Sequence, residues 1–187
     1  MSARFTITDT AIDGVKVVRR LRLGDARGSF ERIFCAEELA GLGWTGPVVQ
    51  VNRTRTAKAG TVRGMHFQRP PSAEQKLVSC TRGQVFDVAV DLRAGSPTYL
   101  RWHAEILSDD NATSMLIPEG CAHGIQTLTE DVELIYVHSF GYRADDEGGL
   151  HPLDPAIAVA WPLPVVELSA RDQSHPPITR SFVGMTP

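Results

Sequence analysis

From Phe5 to His138 the chain is a succession of short runs of alternating apolar and polar residues, each stopped by glycine, proline or a small polar cluster. That rhythm limits the possible folds more than any other feature of the sequence. Runs rich in Val, Ile, Thr and aromatic residues, separated by turns roughly every 8–12 residues, predict an all-β sandwich or barrel. Strands are expected at 5–8, 14–23, 29–34, 48–56, 76–81, 84–92, 102–107, 114–118, 123–128 and 132–138. Turns are expected at 24–28 and at 57–60, the second closing a glycine-containing hairpin from 48–56 into the next segment. Residues 36–43 form the one compact helical piece, ended by glycine. Residues 154–162 read as a last strand or extended edge, and the Pro-rich tail after Ser174 reads as loosely held. No repeat of roughly 20–50 residues is present, which disfavours a propeller or solenoid.

A chain of 187 residues is long enough for one domain with a full core. One domain over 1–187 is therefore expected, with a core of about 14–172 and a tail at 174–187. Nineteen Lys and Arg against 22 Asp and Glu leave a net charge of −3, and Arg19-Arg20 is the longest basic run, so no field for nucleic acid is present. The first residues lack a charged-then-apolar leader pattern. No window approaches the roughly 18 apolar residues of a membrane span. A cytoplasmic protein is expected. Cys35, Cys80 and Cys121 are an odd, widely spaced set without a CxxC pair, and they read as reduced, buried, small hydrophobes.

The most informative stretch is Gly60-Thr61-Val62-Arg63-Gly64-Met65-His66-Phe67-Gln68. It reads as a strand pair about Gly64 that delivers Arg63 and His66 together into an interior. Taken alone, it fits equally a solvated polar face. Pro118-Glu119-Gly120-Cys121-Ala122-His123-Gly124 fits the P-x-G-x-x-H pattern of the second motif of cupin jelly rolls, with His66 entering from a neighbouring strand. Two facing imidazoles suggest a metal site. The neighbours of His66, however, lack the His-x-His and Glu of the metal-binding pattern, and a three-ligand set is hard to assemble, so no metal is expected. Acid–base equipment is present instead. His66 can take a proton near neutral pH, Lys76 and Arg63 can neutralise an oxyanion, and Tyr136 can act from another side. Such a set suits inversion at a carbon beside a ketone without a cofactor. His103, His138, His151 and His175 read as surface or structural residues. Asp87 and Asp91 read as paired structural carboxylates.

The order and spacing of several blocks add a resemblance: Asp25-Ala26-Arg27-Gly28-Ser29-Phe30, Gln50-Val51-Asn52, the stretch Gly60 to Gln68, Glu74-Gln75-Lys76-Leu77-Val78, Gly83 to Arg93, Ile117 to Gly124, and Leu168-Ser169-Ala170-Arg171-Asp172. From about Gly14 to Asp172 the chain resembles the dTDP-4-dehydrorhamnose 3,5-epimerase family. The resemblance implies a cupin-type double-stranded jelly roll with a few short peripheral helices. It implies a metal-free, cofactor-independent homodimer whose N-terminal strands cross to the partner, acting on a nucleotide-diphosphate sugar. It makes His66 the general base, Asp172 its carboxylate partner, Tyr136 the acid on the other face, and Lys76 and Arg63 the cations around the enolate. Arg27 and Phe30 resemble residues that one subunit extends to the other's nucleotide. Gln50, Asn52, His123, Tyr142 and Arg171 fall where the family lines its pocket. Arg32 two places after Phe30, Val137 after Tyr136 and Gly141 before Tyr142 depart from the family pattern and bear on which sugar is used. The implied reaction inverts C3, C5 or both in a 4-keto-6-deoxy sugar. A nucleotide-sugar-binding barrel with lost or altered chemistry is the alternative.

Overall fold

The chain runs through thirteen strands and two short helices among its described residues. In order these are β1 (Phe5–Asp9), β2 (Lys16–Arg20), β3 (Arg22–Asp25), β4 (Gly28–Glu31), α1 (Ala36–Ala40), β5 (Gln50–Thr56), β6 (Val62–Gln68), β7 (Lys76–Arg82), β8 (Gln84–Asp91), β9 (Trp102–Ser108), β10 (Thr113–Ile117), β11 (Cys121–Thr127), β12 (Val132–His138), β13 (Glu147–Gly149) and α2 (Ala170–Gln173). The computed structural model describes residues 4–179 and 181–186. Met1, Ser2, Ala3, Arg180 and Pro187 of the expected domain lie outside the described residues.

Two antiparallel sheets carry the fold, one ordered β1-β2-β10-β7-β12-β5 and the other β13-β6-β11-β8-β9. After β5 the chain passes from one sheet to the other at nearly every connection, which is the winding of the double-stranded jelly roll that the resemblance implies. The expected hairpin from β5 into β6 does not form. β5 pairs with β12, whereas β6 pairs with β11 and β13, so the turn at 57–60 carries the chain between sheets. The expected strand at 14–23 is likewise divided. β2 joins the six-stranded sheet, and β3 turns away to pair only with β4 in a separate ribbon.

Alternation explains what faces what. On β12 the inward positions are Val132, Leu134, Tyr136 and His138, and β7 contributes Lys76, Val78 and Cys80 beside them. Val78, Val85, Ala89, Leu107, Met115, Ile125 and Leu134 close into one buried cluster between the sheets. The outer face of the six-stranded sheet is covered by α1 and the segment after it, through Leu39 and Trp44 packed on Leu77, Leu116 and Val137. The helix is shorter than the expected 36–43, since residues 41–43 form a turn through which Leu42 and the following Trp44 make this contact.

The outer face of the five-stranded sheet is covered by the C-terminal segment. Leu150, Ile157 and Met185 pack on Met65, Phe67, Val88 and Val90. This corrects two expectations. Residues 154–162 form a turn at 155–157 followed by irregular chain rather than a strand, with Asp154 accepting from the backbone of Ala156 and Ile178 while Ile157 and Trp161 pack on the sheet. The tail is held, since Met185 is buried and bridges Arg93, and Tyr99 stacks on Phe182. Cys80 and Cys121 are buried free thiols whose acidity burial suppresses, up to about 11 and about 12. Cys35 is only partly buried, at the start of α1.

Candidate active site

β6 is a single bulged strand rather than two, and the bulge decides where its polar side chains point. In a regular strand, residues three apart face opposite sides of the sheet. Against β11, His66 pairs with His123 and Arg63 with Ile125, so one residue of register is absorbed at Gly64 and both polar side chains face inward. Gly64 has φ +119°, and a Cβ there would sit 2.7 Å from Gly124 Cα and from the His123 carbonyl oxygen. Only glycine allows this approach.

The amide of Gly64 donates to Asp172 Oδ2 at 3.2 Å, and His66 Nε2 lies 2.7 Å from Asp172 Oδ1. Asp172 reaches β6 from α2, a four-residue helix whose N-cap Ser169 accepts from the Asp172 amide at 3.0 Å. Burial by itself would raise the Asp172 carboxyl. The hydrogen bond and charge of His66, with the Gly64 amide, hold it below the ordinary carboxylate range. An ionised Asp172 only accepts, so His66 Nε2 donates to it, and in the neutral form of His66 the lone pair is therefore on Nδ1.

His66 opens into a cavity of about 730 Å³ between the sheets. Gln50, Asn52, Arg63, Lys76, His123, Tyr136, Tyr142, Arg171 and Asp172 share its lining with His66, so ten of the twelve residues singled out in the sequence converge. Tyr136 comes from the six-stranded sheet and His66 from the facing one. Burial pushes the Tyr136 phenol well above its ordinary value, so it remains a proton donor across the neutral range. Arg63 Nε donates to Thr56 Oγ1 at 2.9 Å, and Lys76 Nζ is 3.1 Å from Glu74.

Arg27 and Phe30 do not join them. Both lie on the β3–β4 ribbon, where Arg27 pairs with Asp25 at 2.6 Å and Phe30 is 61% exposed, lining a separate shallow groove with Leu23 and Ser29.

Several cavity residues were not expected. His138 is not a surface residue. It is buried, its Nδ1 meets Glu74 Oε2 at 2.8 Å and its ring stacks on Tyr136 at 6.2 Å. The visible signal was its spacing of two from Tyr136 on one strand. Asp87 and Asp91 are not paired with each other. Asp87 Oδ1 bonds His123 Nε2 at 2.7 Å, while Asp91 is held by Arg93, Ser96 and Thr98. Glu147 accepts from Tyr142 at 2.7 Å and pairs with Arg171. His175 adds a third ligand-type side chain beside His66 and Asp172, one that the sequence did not point to. Ligand atoms of His66, Asp172 and His175 lie within 4.8 Å of one another, because α2 brings Asp172 to β6 and the chain just past its C-cap brings His175.

This arrangement can take a proton from one face of a bound molecule with His66 and offer one from the other with Tyr136, among cations suited to an enolate or a diphosphate. Comparison with known proteins shows the family. Residues 9–180 match the family described as dTDP-4-dehydrorhamnose 3,5-epimerase. The chain is 43% identical over 171 residues to a dTDP-4-dehydrorhamnose 3,5-epimerase of Sinorhizobium fredii, covering 89% of this chain and 86% of that one. Among solved structures, an epimerase of Legionella pneumophila in complex with dTDP-4-keto-L-rhamnose superposes with a TM-score of 0.91 at 37% identity, covering 98% of this chain and 99% of that one. A 3′-monoepimerase of Streptomyces bikiniensis in complex with dTDP-quinovose gives a TM-score of 0.83 at 33% identity, covering 90% and 85%. No helix among the described residues is long and apolar enough to cross a membrane.

Proposed function

This chain belongs to the dTDP-4-dehydrorhamnose 3,5-epimerase family, and from that membership we propose how its cavity works. It is an isomerase that epimerises a dTDP-linked sugar. The proposed substrate is a 4-keto-6-deoxy sugar, inverted at C3, at C5 or at both. His66 Nδ1 removes the proton next to the ketone, and Asp172 stabilises the imidazolium that forms. Arg63 and Lys76 lower the cost of the enolate oxygen's charge. Tyr136 returns a proton to the opposite face. The observation that carries this reading is that base and acid stand on two facing sheets across one cavity, with the base already hydrogen-bonded to its carboxylate. Gln50, Asn52, His123, Tyr142 and Arg171 are proposed to line the nucleotide-sugar path. No cofactor takes part in this scheme.

The protein is further proposed to act as a cytoplasmic homodimer that exchanges N-terminal strands. Support comes from Arg27 and Phe30, whose positions match nucleotide-contacting residues by resemblance yet stand exposed on a ribbon away from this chain's own cavity. The decisive experiment is incubation with dTDP-4-keto-6-deoxyglucose in D₂O, following the sugar protons by NMR. Deuterium at C3 and C5 is the result for a double epimerase, and deuterium at one carbon the result for a mono-epimerase. No exchange at either overturns the assignment to this sugar and favours a binding protein.

A further inference from the structure

The place beside His66 on the five-stranded sheet belongs to Gly149, its register partner on β13. Gly149 has no side chain to put there. The ring of His175 fills the space, so closely that a Cβ on Gly149 would fall 2.1 Å from His175 Nε2. That nitrogen is buried and has no hydrogen-bond partner among the described residues. Asp172 stands three residues before it on α2, and ligand atoms of His66, Asp172 and His175 all lie within 4.8 Å of one another.

We propose that His66, Asp172 and His175 form a zinc site superposed on the base, and that bound zinc inhibits the enzyme. Two imidazoles and a carboxylate are donors that zinc accepts, at roughly 2.0–2.2 Å, in a tetrahedron whose corners lie about 3.3 Å apart. His66 Nε2 and Asp172 Oδ1, now 2.7 Å apart, open slightly to reach that spacing, and His175 closes in by side-chain rotation. The fourth position faces the cavity, where the His66 side chain is 34% exposed. The proton balance explains the inhibition. Neutral His66 carries one proton, on Nε2, and has its lone pair on Nδ1. Zinc takes the Nε2 lone pair, the proton resides on Nδ1, and no lone pair remains for the sugar's proton. Inhibition rests on the epimerase reading above, whereas metal binding does not.

The test is calorimetric titration of zinc chloride into the EDTA-treated full chain, for the wild type, His175→Ala and His175→Gln. The glutamine variant keeps polar bulk against Gly149, and thermal midpoints in EDTA check folding. One zinc per chain is expected in the wild type, with affinity reduced at least about tenfold in both variants. Deuterium exchange into the sugar is expected to stop with zinc and to return with EDTA in the wild type, the variants needing at least about tenfold more metal. Equal affinity in wild type and His175→Gln, or no wild-type binding up to roughly millimolar zinc, overturns the site. Binding that depends on His175, in a protein whose metal-free form exchanges no sugar proton, leaves the site standing and overturns the epimerase reading instead.

Discussion

His66 shows how little of a residue's chemistry is its own. In the proposed scheme its lone pair is on Nδ1 because an ionised Asp172 binds the other nitrogen. His66→Asn is expected to lower kcat by roughly 10²–10⁴-fold while KM changes little, as for loss of a general base; an unchanged kcat would exclude His66. Tyr136→Phe separates the two half-reactions. Proton abstraction and return on the His66 face survive, so deuterium still enters the sugar, while net inversion falls by roughly 10²-fold or more. Equal loss of exchange and inversion would place Tyr136 on the abstraction step. His66, Tyr136 and Asp172 were all legible as residue types, through the acid–base logic of epimerisation and the resemblance. Glu74, Asp87 and His138 were not, because a carboxylate or imidazole three strands away in sequence carries no mark of the partner it will meet.

At the scale of the element, a four-residue helix and a one-residue bulge align the dyad. α2 is too short to be stable by itself and depends on its Ser169 cap and on docking against β6. Ser169→Ala is expected to cost about 1 kcal/mol in urea unfolding. It should also lower kcat more than stability alone explains, since it frees the helix that carries Asp172; full activity would show that Asp172 is placed by other contacts. Gly64→Ala meets both a positive φ and a backbone collision, so a loss of at least about 1–3 kcal/mol is expected. Neither the bulge nor α2 was visible from pattern. Alternation predicts strands well, but a bulge is one residue in a ladder, and a single helical turn has no periodicity to detect.

For the whole molecule, a set of carboxylates makes stability depend on pH. Burial opposes ionisation of Asp91, yet Arg93, Ser96 and Thr98 hold its carboxyl down to about 2; burial likewise opposes Asp172, Glu74 and Glu147, and their partners hold each below its ordinary value. A depressed folded value gives stability that is present above the unfolded value, roughly pH 4, and is lost as pH falls through the folded one. Urea midpoints are therefore expected to be flat with respect to these groups above about pH 5 and to fall between about pH 4 and 2. A flat profile through that range would contradict the set. The proposed dimer has an equally direct test. Mixed subunits of Arg27→Ala and His66→Asn should regain activity that neither has alone, because one hybrid site has both residues intact; no recovery would place Arg27 outside the partner's site. By itself the sequence determined the strand rhythm, the all-β class, the family and the chemistry-bearing residue types, because these are carried by local alternation and by short blocks at fixed spacing. Only the tertiary structure decided that β5 and β6 lie in opposite sheets, that Ile157, Trp161, Phe182 and Met185 pack on the outer face, and which carboxylate holds which imidazole. Those are contacts between segments distant in the chain, fixed by how the two sheets close on each other.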